Sequence, residues 1–155
     1  LMNDEAKQRA LKILERRDVS RKMLLDKLTE KGISNTDAEE VADWLCGLGV
    51  VNDERFAGLV VRHYAAKGYG KRRICDELYR RGVPRELWED ALSQSLDAQE
   101  AIARVIAQKT KGRVLDEKGR KRLSDMLLRR GFAWRDVRAA IAQISENATE
   151  FDYEE

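Results

Sequence analysis

The stretches RKMLLDKLTEKGI (Arg21–Ile33), KRRICDELYRRGV (Lys71–Val83) and RKRLSDMLLRRGF (Arg120–Phe132) are three copies of one pattern. Aligned on Gly32, Gly82 and Gly131, they place Leu24, Ile74 and Leu123 eight residues upstream, and Leu28, Leu78 and Leu127 four residues upstream. An apolar residue follows each glycine: Ile33, Val83 and Phe132. The glycines stand 50 and 49 positions apart. A period of that size points to stacked supersecondary units that present a long surface to a partner.

Outward from these copies, each repeat reads as three helices. In the first, Ala6, Ala10, Ile13 and Leu14 give a helical face, Ser20 stands at an N-cap position, and Gly32 ends the second helix. Ser34-Asn35-Thr36 caps a third helix with the inner stripe Ala38, Val41, Ala42 and Leu45. In the second, Asn52-Asp53-Glu54 opens a helix carrying Phe56, Val60 and Tyr64, and Pro84 sits where a third helix begins. In the third, Ala98, Ile102 and Val105 carry a face from about Asp97, and Val137, Ala140, Ile141 and Ile144 close the unit. No stretch alternates with period two, and Gly49-Val50-Val51 before Asn52 reads as a turn, so the class is all-α. The expected units are 1–51, 52–96 and 97–147, followed by an acidic tail, 148–155, that frays.

The net charge of +2 hides segregation. Residues 62–85 hold eight basic and two acidic side chains, and residues 104–138 hold twelve and four. Segments 86–103 and 139–155 have five acidic residues each and no Lys or Arg. Such local imbalance suits an anionic partner. Cys46 and Cys75 lack metal-ligand spacing and His63 is the single histidine, so neither a zinc site nor a cofactor is expected. The two cysteines read as buried, reduced thiols of a cytoplasmic protein. No apolar run reaches 18 residues and no signal peptide is read, so no membrane partner is expected.

The strongest candidate site is basic. Lys71, Arg72, Arg73, Arg80 and Arg81 bracket one helix; Arg120, Lys121, Arg122, Arg129 and Arg130 bracket its counterpart, with Lys111 and Arg113 in the connection before it. Cations near a helix C-terminus are favoured by the dipole, which accounts for Arg81 and Arg130. It does not account for Lys71-Arg72-Arg73 at an N-terminus, so binding to nucleic acid or an acidic protein surface is expected there. A helix-turn-helix reading fails on Glu86, Glu89 and Asp90, which would repel phosphate at the start of the reading helix. Gly68-Tyr69-Gly70-Lys71 lacks P-loop length and reads as a tight turn, with Tyr69 exposed for base stacking. Trp44, Trp88 and Trp134 read as core, as do Tyr64 and Phe56. Carboxylate pairs such as Asp76-Glu77 and Glu89-Asp90 read as solvated, and no nucleophile–base–orienter set exists, so no catalysis is expected.

The middle repeat carries a resemblance. Asn52-Asp53-Glu54-Arg55-Phe56-Ala57, then Lys67-Gly68-Tyr69-Gly70, then Ile74, Glu77-Leu78 and Gly82-Val83 resemble the central signature of the RecX family. Ser20 with Leu24-Leu25, Leu28 and Lys31-Gly32-Ile33 agrees on one side, and Leu127-Leu128-Arg129-Arg130-Gly131-Phe132 on the other. Cys75 departs from the family, which more often has a polar residue or arginine there. The resemblance implies three tandem three-helix repeats in an elongated, curved array. It implies a cytoplasmic, monomeric, non-enzymatic protein that binds the RecA recombinase–DNA filament and modulates it, usually by inhibition, with single-stranded DNA as a further partner. The alternative is a stand-alone single-stranded nucleic-acid-binding helical module.

Overall fold

The structure is a computed structural model that describes the backbone of residues 1–153 and the side chains of residues 1–144. Among the described residues it is all-α: α1 (Asp4–Arg16), α2 (Arg21–Glu30), α3 (Asn35–Gly47), α4 (Asp53–Ala66), α5 (Lys71–Arg80), α6 (Trp88–Leu92), α7 (Ala98–Thr110), α8 (Glu117–Arg129) and α9 (Trp134–Tyr153), with a 3-10 turn at Arg85–Leu87. No strand occurs among them, and Gly49-Val50-Val51 is a turn, as the Asn52 that follows it predicts. The expected fraying of segment 148–155 concerns residues whose side chains lie outside the described ones.

Local chemistry sets these boundaries. Ser20 and Ser34 accept hydrogen bonds from the Met23 and Asp37 amides at 3.1 and 3.2 Å, and Asn52 accepts one from Arg55 at 3.0 Å. The glycine-apolar ending of each copy is a Schellman motif. Ile33, Val83 and Phe132 donate to the carbonyls of Leu28, Leu78 and Leu127 at 3.1, 3.0 and 3.2 Å, and the preceding glycines have φ of 90, 72 and 97°. The leucine and the post-glycine residue of each motif are both buried, which is the apolar contact the motif favours. The repeat pattern in the sequence is therefore one helix-ending device written three times.

The chain divides into two compact units, Leu1–Val60 with Glu77–Leu92, and Val61–Asp76 with Ser93–Glu155. The first is built on Ala6, Ala10, Leu24, Leu28, Val41 and Leu45. The second is built on Ile102, Val105, Leu123, Leu127, Phe132 and Val137. The division falls inside α4 and α5.

Several side chains depart from the expected burial. Phe56 is buried but Tyr64 is half-buried. Cys46 and Cys75 are half-buried rather than enclosed, and burial pushes the Cys46 thiol up from its ordinary value. Trp44 packs on the first core and Trp88 donates Nε1–H to the Val83 carbonyl at 2.9 Å. Trp134 is not core: it is 59% exposed at the first turn of α9. Glu77 is not solvated: it is 3% exposed and pairs with Arg81 and, at 3.6 Å, Arg80.

Candidate partner-binding surface

In the second unit the start of α5 is docked on the end of α8. The Gly70 amide donates to the Arg130 carbonyl at 2.7 Å, and the Arg72 amide to the Gly131 carbonyl at 3.1 Å. The approach requires glycine: a Cβ on Gly70 would lie 2.6 Å from the Gly131 carbonyl carbon, and one on Gly131 would lie 2.5 Å from the Arg73 nitrogen. The first unit brings the equivalent helix start and helix end together, but through a side chain. There Ser20 Oγ donates to the Arg81 carbonyl, and Lys22 lies against Gly82. Ser20 and Gly70 stand at equivalent repeat positions, as do Arg81 and Arg130.

This junction explains the cations at the N-terminus of α5. The positive end of α5 faces the carbonyls at the negative end of α8, so the local field on Lys71, Arg72 and Arg73 is offset. Arg72 also points a guanidinium nitrogen at the Leu128 carbonyl, 3.5 Å away. The amides of Gly68, Tyr69 and Gly70 in the Gly68–Lys71 turn already donate to the carbonyls of Ala65, Tyr64 and Arg130, so the turn is architectural.

The thirteen candidate residues separate into groups. Arg130 is structural: its Nη1 donates to the carbonyls of Lys67 and Gly68 at 3.3 and 3.4 Å, at the C-terminal end of α4. Tyr69 is half-buried rather than open, and its ring lies 4.8 Å from the Arg73 guanidinium carbon and 5.9 Å from that of Arg130. Arg80 and Arg81 lie at the other end of α5, within the first unit, beside Glu77. Arg120 turns back to the Leu115 carbonyl at 2.9 Å. Lys71, Arg72 and Arg129 are exposed around the α5–α8 junction. Lys121 and Arg122 are exposed near the start of α8, and Lys111 and Arg113 in the turn before it. None of these seven has a carboxylate within ion-pair distance among the described residues.

The first unit treats its equivalent cations differently. Arg21 binds Asp43 at 2.7 Å and Lys22 binds Asp26 at 3.0 Å. The Asp43 hydrogen bond raises the Arg21 pKa against the opposing effect of burial. One junction is therefore charge-matched and its counterpart is cationic. Sequence reasoning found the cations of the second junction but missed Glu77. Its repeat equivalent, Met126, packs on the second core, which is the signal that the position faces inward.

No helix of the described residues is long and apolar enough to cross a membrane, and no group of metal-ligating side chains assembles among them. Comparison with known proteins is consistent along the chain. Residues 6–45 match the first three-helix domain of RecX, and residues 52–92 match its second. A regulatory protein RecX of Xanthomonas oryzae pv. oryzae is 37% identical over 150 residues, spanning 96% of this chain and 88% of that protein. The regulatory protein RecX of Chlorobium limicola is 36% identical over 152 residues, spanning 95% and 94%. The crystal structure of RecX from Lactobacillus salivarius superposes with a TM-score of 0.79 at 22% identity, covering 92% of this chain and 96% of that one. At that identity the superposition speaks for the fold.

Proposed function

This chain belongs to the RecX family of regulatory proteins, and on that premise we propose that it binds the RecA recombinase–DNA filament and inhibits its ATPase, recombinase and coprotease activities. The observation that carries the reading is the α5–α8 junction, where exposed Lys71, Arg72 and Arg129 gather without carboxylate partners among the described residues. A filament offers phosphate and acidic protein surface together, and a sparse set of cations can serve both. The protein acts by occupancy, as a cytoplasmic monomer, and contributes no chemistry of its own.

The test is RecA ATP hydrolysis on single-stranded DNA, titrated with the wild type and with Lys71→Glu/Arg72→Glu. Inhibition by the wild type that is lost in a normally folded variant supports the reading. Undisturbed hydrolysis at stoichiometric wild-type protein overturns it. A dye-labelled oligothymidine titrated in parallel identifies the rival: tight binding without recombinase marks a stand-alone nucleic-acid module.

A further inference from the structure

The second unit exposes a tryptophan that its fold does not require. Trp134 stands three residues after Gly131, and the equivalent positions after Gly32 and Gly82 are Asn35 and Arg85, both exposed. The repeat therefore calls for a polar surface residue there, yet the chain places an indole at 59% exposure. Arg138, one turn along α9, holds its guanidinium carbon 5.1 Å from the ring centroid. Together they wall a depression of about 130 Å³ between α8 and α9, whose floor is Leu128, Val137 and Ile141, with Ser124 at its edge. A second, more open hollow of about 520 Å³ shares Trp134 and Arg138 and brings in Arg135. Among the described residues no carboxylate lines either one.

That combination defines an occupant. At about 30 Å³ per molecule in the liquid, the depression holds roughly four waters, and a large apolar side chain displaces them from an aliphatic floor with a gain proportional to the area covered. Arg138 on its wall, and Arg135 in the adjoining hollow, then favour carboxylates flanking the inserted residue. A nucleobase fits less well. It needs an open ring face to stack on, whereas this indole already has the Arg138 guanidinium over its ring. We infer that the Trp134–Arg138 depression is a docking site for a short acidic segment of a partner protein, anchored by one large apolar side chain. The inference does not rest on the recombinase reading, since binding is measured on this chain alone.

The probe is a dye-labelled peptide, Gly-Asp-Glu-Leu-Phe-Asp-Glu-Gly, followed by fluorescence anisotropy. Trp134→Asn, which restores the residue of the first repeat, and Arg135→Glu/Arg138→Glu are compared with the wild type, folding being checked by circular dichroism. The expected result is saturable binding that weakens with salt. Each variant, and a peptide with serines in place of Leu-Phe, should bind about tenfold or more weakly, as truncation of an aromatic or arginine anchor does. Three results overturn the inference: no peptide binding up to about 1 mM, binding indifferent to both variants, or displacement of the peptide by oligothymidine. Sedimentation showing a dimer that Trp134→Asn dissociates also overturns it, by assigning the face to a second copy.

Discussion

Single residues decide which charges of this protein are available. Glu77 sits one position before Leu78, at 3% exposure, and its carboxylate holds Arg81 and Arg80. Removing one member of such a pair leaves the other without compensation. Arg81 keeps about a third of its side chain in solvent, so part of the loss is recovered by water. Glu77→Ala should lower stability by about 2 kcal/mol, read as a shift of the urea midpoint, and no shift would mean that the arginines re-pair. Cys46 gives a second residue-level check. Its raised pKa and half-burial keep it a thiol at neutral pH, so iodoacetamide at pH 8 should modify it several-fold more slowly in the native than in the unfolded chain. The same shift makes a small contribution to stability, present below the unfolded pKa and lost as pH rises through the higher folded value. Glu77 and Trp134 were both misread from sequence for one reason. Composition and neighbours suggested a solvated pair and a core aromatic, while register within the repeat, visible once Met126 and Asn35 are aligned with them, places the first inside and the second outside.

At the scale of elements, the helices were legible because their punctuation is chemical: serine and asparagine caps at the starts and glycine-apolar endings at the stops. What the sequence could not display is how one helix start meets another helix end, since that contact joins residues about 60 positions apart and its acceptors are backbone carbonyls, which every residue has. The three motif glycines separate the two effects. All three have positive φ, but a Cβ on Gly32 meets nothing, whereas one on Gly82 meets Lys22 and one on Gly131 meets the Arg73 backbone. Gly32→Ala should therefore cost only the left-handed conformation, about 1–2 kcal/mol. Gly131→Ala adds a collision with backbone and should cost at least about 1 kcal/mol more. Equal losses in urea denaturation would show that the junction yields without penalty. The start of α8 is built another way. It begins at Glu117 with Asp116 accepting from the Gly119 amide at 2.7 Å, so the position equivalent to Ser20 and Gly70 lies inside the helix and is closed to docking.

For the molecule as a whole, the informative quantity is the placement of charge. A net charge of +2 over 155 residues would predict little electrostatic response. The segregation into basic stretches 62–85 and 104–138 was readable from composition, but only the folded chain distinguishes cations already held, such as Arg21, Lys22 and Arg81, from those left open, such as Lys71, Arg72 and Arg129. Open like charges around one hydrogen-bonded junction repel over a screening length of about 10 Å at 0.1 M salt. Two responses to salt should then run in opposite directions. Raising sodium chloride from roughly 20 to 200 mM, a range across which that length shrinks to under half, should stabilise the free protein against urea by about 0.5 kcal/mol as the repulsion is screened. The same change should weaken binding to an anionic partner, with a log–log slope that falls when Lys71 or Arg129 is neutralised. Should salt weaken both folding and binding, the cations of the second unit are matched within the protein, and the partner surface must be sought elsewhere.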